Sequence, residues 1–158
     1  DRFMFAIQVD YPTAEEEPRI LMSTTDDRAI RIEPVLEAGA ILRYQQLVRQ
    51  IPVSAHVAGY AARLARATRP GAPEAPAEMA RWLRWGAGPR AGQCLLMAAK
   101  AHAVLSGRFS VSCDDVRAYA LPVMRHRIFR NFAAVSDGLS PDTIVARVLE
   151  HVAEPDYR

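Results

Sequence analysis

The sequence predicts a mainly α-helical protein: a helical bundle preceded by one β-strand and one short helix. Three observations carry this. Apolar residues recur at helical spacing through most of the chain, in segments opened by Ser, Thr or Pro and ended by Gly or Pro. Only one stretch, Phe3 to Val9, alternates in the manner of a strand. The chain has 158 residues, 50 % apolar and 24 % charged, which is enough for one ordinary buried core.

In the leading stretch Phe3, Phe5, Ile7 and Val9 alternate with Met4, Ala6 and Gln8. Both faces are fairly apolar, as in a strand covered on both sides. Tyr11-Pro12 ends it, and Thr13 with Glu16 forms a capping-box pattern. A short helix is expected next, with Ile20 and Leu21 on its apolar side and Glu15, Glu16 and Glu17 near its positive end. Polar residues 23–33 read as a linker. A second helix is expected from Leu36 to Gln50, with a stripe of Leu36, Ala40, Tyr44, Leu47 and Ile51. Ser54 caps a third, faced by Val57, Tyr60, Ala61 and Leu64.

The proline-rich stretch from Pro70 to Pro76 reads as a loop. A short apolar segment with Trp82, Leu83 and Trp85 leads into Gly86-Ala87-Gly88-Pro89-Arg90-Ala91, a turn that opens a fourth helix with Pro at its first position. That helix, to about Ser106, is apolar almost all round apart from Gln93 and Lys100, which predicts a central place. After Gly107, Ser112 and Asp115 start a fifth helix with Val116, Tyr119, Ala120 and Val123. Ser140-Pro141-Asp142 starts a last one with Ile144, Val145, Val148, Leu149 and Val152.

The formal net charge of +2 argues against a nucleic-acid binder. Lys100 is the only lysine. Cys94 and Cys113 lack metal spacing and read as buried free thiols in a reducing, cytoplasmic setting. His56, His102, His126 and His151 are dispersed, so no metal site is expected, and His102 reads as a satisfied core histidine. No apolar run is long enough for a membrane span. The chain begins with Asp1 and leads straight into Phe3-Met4-Phe5, which suggests an upstream part, natural or engineered away, holding the strand's partners.

Most enzyme signatures are absent: no G-x-x-x-x-G-K-S/T, no G-x-G-x-x-G, no G-x-S-x-G and no H-E-x-x-H. Two arginines are placed suggestively. Arg90 follows Pro89 in the first turn of a helix, where free N–H groups and the helix dipole favour an anion and a guanidinium adds a fork of donors suited to phosphate. Arg2 stands just before the strand, where it could reach a neighbour's phosphates.

Three motifs together resemble MoxR-type AAA+ ATPases over nearly the whole chain. Asp1-Arg2-Phe3-Met4-Phe5, with Val9-Asp10-Tyr11-Pro12 and Glu15-Glu16-Glu17, is similar to the segment after that family's sensor-1 region. Gly86-Ala87-Gly88-Pro89-Arg90-Ala91 resembles its sensor-2 motif G-A-S-P-R-A, with Gly88 in place of serine. Val111 to Val116, followed by Pro122-Val123-Met124-Arg125-His126-Arg127, resembles its lid, where a V-x-x-x-D-V helix leads to L-R-H-R.

The resemblance implies that residues 1–24 are the C-terminal edge of an αβα ATPase core, 25–33 a linker and 34–158 the helical lid. It implies ATP with Mg2+ held mainly by an upstream core, and no cofactor for this segment alone. Arg90 would be the sensor-2 arginine, with Pro89 and Ala91 beside the nucleotide, and Arg2 the arginine finger. Leu36 to Gln50 would belong to the helical insertion before sensor 2, and whether sensor 2 serves its own or the neighbouring subunit stays open. The implied partners are neighbouring subunits of a homo-hexameric ring and proteins with von Willebrand factor A domains. The implied activity is ATP-driven, chaperone-like remodelling or maturation of clients, with this segment inactive alone.

Two other readings compete. Arg125, His126, Arg127 and Arg130 could serve nucleic acid, although a solvated or phosphate-facing lid surface explains them more simply. A protein-interaction module without a nucleotide role is the third.

Overall fold

The computed structural model describes residues 2–27 and 31–155. Asp1 of the first motif, residues 28–30 of the expected linker and residues 156–158 lie outside them. In chain order the elements are α1 Glu16–Thr25, α2 Ala38–Gln50, α3 Ala55–Ala67, α4 Glu78–Trp82, β1 Leu83–Trp85, α5 Pro89–Leu105, α6 Cys113–Ala118, α7 Ala120–Met124, β2 Phe129–Arg130, α8 Phe132–Ser136 and α9 Pro141–His151.

α5 is central, as its nearly continuous apolar surface requires: it packs against α2, α3, α6 and α7, and α9 closes the bundle on α3 and α7. Val57, Tyr60, Ala61 and Leu64 of α3 meet Ala91, Leu95, Ala99 and Ala103 of α5 in one core with Val116, Val123, Met124, Ile144, Val145 and Val148. The alanines on α5 let its neighbours approach closely, and Tyr60, Leu64 and Met79 fill the remaining space. Gly107 ends α5 at φ 71°, while the Arg108 N–H reaches back to the Ala103 carbonyl at 2.8 Å.

The expected fifth helix is two. Pro122 has no N–H to donate, and its ring crowds the carbonyl of Ala118, so α6 stops and α7 starts anew at Tyr119 (φ −107°). The capping box at Ser112 and Asp115 forms with both halves present. β1 and β2 pair antiparallel, Leu83 with Arg130 and Trp85 with Phe129. The sequence showed β1 only as an apolar segment and β2 only as a basic one.

Two segments lie where the sequence did not say what would cover them. Phe3 to Val9 has no ladder partner among the described residues; it is held instead at Ala6, whose N–H donates to the Pro122 carbonyl at 2.8 Å, and at Phe5, which packs against the core beside Tyr119. The apolar sides of the first two helices are uncovered: α1 and α2 contain no buried residue, and Ile20, Leu21, Leu36, Tyr44 and Leu47 are exposed. Of the second stripe only Ile51 reaches the core. A period of 3.6 marks a face that seeks a partner and does not say which partner it meets. The Thr13–Glu16 capping contacts are present, at 2.9 Å from the Thr13 N–H to Glu16 Oε2 and 3.3 Å from the Glu16 N–H to Thr13 Oγ1.

Candidate functional site

The site is built where β1 turns into α5. Gly86 and Ala87 are buried against the C-terminal end of α3. The Ala87 N–H donates to Thr68 Oγ1 at 2.7 Å, and Thr68 in turn donates to the Ala65 carbonyl at 2.7 Å. Arg69 Nε donates to the Ala87 carbonyl at 3.0 Å. Gly86 lies so close that a Cβ there would stand 2.4 Å from the Thr68 carbonyl oxygen. The backbone leading into α5 is thus fixed from below by hydrogen bonds and by contact.

α5 opens at Gly88 (φ −80°, ψ 178°) with no side chain capping it and Pro89 in the first turn. Of its first three positions Pro89 has no N–H and the Ala91 N–H donates to the Gly88 carbonyl at 3.0 Å, which leaves the N–H of the exposed Arg90, with Ala91 buried beneath. Among the described residues Arg90 makes no hydrogen bond and no ion pair. It lines an open cleft of about 240 Å³ with Trp85, Gly86, Gly88, His126, Arg127 and Phe129. A second cleft of about 450 Å³ lies across the Gly86–Gly88 backbone, between Trp85, Arg84, Arg69, Pro70 and Pro89.

The cleft is electropositive. Burial pushes the Arg127 guanidinium below its ordinary range, the Cys94 thiol opposes this, and the charge of Arg90 adds to it. Burial also lowers His126, and Arg127 adds to that. The exposed Arg90 guanidinium at the positive end of α5, with the charge of Arg127 behind it, suits an anion. Among the described residues no cluster of acidic, His or Cys side chains fits a metal ion.

Gly88 has open space around its missing Cβ and β-region dihedrals that any residue adopts. Gly88→Ser should therefore stabilise the fold by about 0.5 kcal/mol through a new helix cap, read as a raised denaturation midpoint with an unchanged slope.

Pro89, Arg90 and Ala91 form the first turn of α5, with Pro89 and Arg90 exposed and Ala91 buried. Arg2 is exposed, and its neighbour Phe3 is held next to the cleft. His126 Nε2 lies 3.2 Å from the Phe3 carbonyl, and Arg127 Nη2 also donates to that oxygen. Arg127 Nη1 reaches the Met4 carbonyl at 3.1 Å and the Val123 carbonyl, and Arg125 Nη1 reaches the Ala6 carbonyl at 3.3 Å. The reading of these basic residues as solvated surface does not hold for Arg125 and Arg127, which are largely withdrawn from water. Sequence reasoning also missed Thr68 and Arg69, since a threonine and an arginine at a helix end carry no distinguishing signal.

Other expectations resolve plainly. Cys94 and Cys113 are free thiols, Cys113 buried and Cys94 half-buried. His102 is satisfied, its Nδ1 lying 2.8 Å from Asp115 Oδ1, but at the edge of the core rather than inside it. No helix among the described residues is long and apolar enough to cross a membrane.

Comparison with known proteins agrees with this geometry. The profile of the AAA lid domain matches residues 77–148, from α4 into α9 and including the residues that line the Arg90 cleft. Chaperone MoxR1 of Mycobacterium tuberculosis (strain ATCC 25618 / H37Rv) is 34 % identical over 157 residues, covering 98 % of this chain and 41 % of that protein. The uncharacterized protein YeaC of Bacillus subtilis (strain 168) is 26 % identical over 159 residues, covering 100 % of this chain and 47 % of its own length. The crystal structure of a candidate ATPase from Cytophaga hutchinsonii ATCC 33406 superposes with a TM-score of 0.85 at 25 % identity, over 98 % of this chain and 47 % of that one. The chain thus spans less than half the length of the relatives it matches. The lid domain over α4 to α9, the match along nearly the whole chain to a MoxR chaperone and the shared fold together place this chain in the MoxR-type AAA+ family, as its C-terminal, lid-bearing part.

Proposed function

We propose that this chain is the lid-bearing part of a cytoplasmic ATP-hydrolysing ring, with Arg90 as the group that senses the terminal phosphate of ATP. The observation that carries the reading is Arg90 itself: an exposed guanidinium with no ionic partner among the described residues, at the uncapped N-terminus of a 17-residue helix, in a cleft it shares with a second guanidinium. Charge that builds on the phosphoryl oxygens as the bond to the leaving group lengthens would meet donors already in place, so the lid need not reorganise at that moment. Pro89 and Ala91 set the direction of that turn, one by its fixed φ and the other by burial in the core.

ATP with Mg2+ is the ligand that fits this reading. The cleft supplies positive groups for phosphate, and the metal ligands and phosphate loop would lie in the remainder of a longer protein. Arg2 would reach a neighbouring subunit's nucleotide in a homo-hexameric ring. The work done is chaperone-like remodelling of partner proteins, with von Willebrand factor A domain proteins as one partner class. The uncovered apolar sides of α1 and α2 support a chain that meets further protein surface in such an assembly.

Arg90→Ala in the full-length protein should lower ATP turnover by about 10-fold or more, about 1.4 kcal/mol of barrier, with nucleotide affinity measured beside it. Unchanged turnover would remove Arg90 from the chemistry and leave a protein-interaction module as the better reading.

A further inference from the structure

The basic triplet at the end of α7 has a role that neither charge nor exposure suggests. Three consecutive side chains all take hold of the leading segment, two of them at the Phe3 carbonyl. Arg125 donates to the Ala6 carbonyl, His126 Nε2 meets the Phe3 carbonyl, and Arg127 donates to the carbonyls of Phe3 and Met4. Pro122, just before the triplet, accepts from the Ala6 N–H at 2.8 Å, and the Phe5 ring stands 5.8 Å from that of Tyr119. Every polar contact in this set is to main chain, so it fixes the path of residues 3–6 rather than reading their side chains.

The triplet is itself anchored. Arg125 Nη2 pairs with Asp142 at the start of α9 at 2.9 Å. Arg127 Nη1 also bonds the Val123 carbonyl of its own turn, and Nη2 touches Cys94 Sγ of α5 at 3.4 Å. The leading segment is therefore tied to α5, α7 and α9 at once. Arg127 also walls the Arg90 cleft, yet both of its terminal nitrogens are engaged with carbonyls, which makes it an orienting group rather than a phosphate ligand.

We infer that Arg125, His126 and Arg127 are positioning residues that lock the Arg2-bearing segment to the lid, so that Arg2 and Arg90 approach phosphate as one rigid unit. The inference rests on the roles proposed above for Arg2 and Arg90. A guanidinium at the end of a loose extended segment would lose orientation each time the segment moved. Several hydrogen bonds to consecutive carbonyls remove that freedom before the nucleotide arrives.

The test is a double-mutant cycle in the full-length protein: wild type, Arg2→Ala, Arg127→Met and the double variant, each assayed for kcat and for nucleotide affinity. Arg127→Met keeps the side-chain volume while removing the donors. The expected result is a fall in kcat of about 10-fold for either single variant, a double variant no slower than the worse single, and affinity within about 2-fold of wild type. A general structural role for Arg127 would give losses that multiply, and that outcome overturns the clamp while Arg2 keeps its part in turnover. An Arg2→Ala variant with wild-type kcat overturns both the finger role and the clamp. Arg90→Ala, assayed in parallel, reports on the lid reading separately. Should Arg127→Met not fold, His126→Ala takes its place in the cycle and is judged by the same outcomes.

Discussion

Asp115→Ala is expected to destabilise the fold by about 3 kcal/mol, measured as a loss in denaturation free energy of this chain. Asp115 is almost wholly buried at the start of α6 and accepts from five donors. Arg108 reaches both carboxylate oxygens, with Nη1 to Oδ2 at 2.7 Å. His102 Nδ1 approaches Oδ1 at 2.8 Å, and the Ser112 N–H and Oγ bond Oδ2 at 2.8 and 2.9 Å. Removing the carboxylate leaves these donors without an acceptor and opens half of the capping box. The loss stays at the lower end for a broken buried pair because the Arg108 side chain is 41 % exposed and turns to water.

The same cluster sets a pH dependence. The Arg108 hydrogen bonds, ahead of those from Ser112 and His102 and against the effect of burial, hold the Asp115 carboxyl far below its ordinary value of 3.8. A folded-state pKa lowered in this way contributes stability that is full above the unfolded value and is lost as pH falls below it. Wild type should therefore lose its advantage over Asp115→Ala progressively below pH 3.8, and the two stabilities should run parallel at neutral pH. A constant gap through the acid range would show that the carboxylate charge is not what holds this corner.

Gly86→Ala is expected to cost about 3 kcal/mol, at the upper end for overpacking. The new methyl would stand 2.4 Å from the Thr68 carbonyl oxygen and 2.6 Å from Arg69 Cα and the Thr68 carbonyl carbon. All three are backbone at the end of α3, so no rotamer change relieves the clash. Relief must come from lifting the loop, which breaks the Thr68–Ala87 hydrogen bond and tilts the first turn of α5 with Arg90 on it. Urea denaturation should show the loss of stability. In the full-length protein the folded fraction should also turn over ATP more slowly, whereas Gly88→Ser, two residues on, should do neither.

These two sites show what the sequence revealed and what it withheld. Ser112 and Asp115 were legible as a cap because the pairing is local, three residues apart, and obeys one hydrogen-bond pattern. The turn into α5 was legible for the same reason, since Gly, Pro and Arg in that order specify a helix start. The clash that makes Gly86 necessary was not, because it depends on Thr68, which is distant in sequence and has no pattern linking it to the loop. The leading stretch was legible only in part, for a related reason. Alternation at Phe3, Phe5 and Ile7 records an extended habit, but pairing is decided by what lies alongside, and here the neighbour is the α7 turn with its three basic side chains. The uncovered sides of α1 and α2 were invisible because periodicity is a property of one segment and burial a property of two.

α2 carries a consequence of its own. None of its 13 residues is buried, and Lys100 of α5, donating to the Arg49 carbonyl at 3.0 Å, grips only its last turn. α5 beneath it is enclosed along most of its length. The two helices therefore belong to different layers of cooperativity. α2 can open through a low-energy fluctuation that leaves the core intact, whereas α5 opens only when the whole bundle does. The part of the chain that carries Arg90 therefore belongs to the layer that opens last.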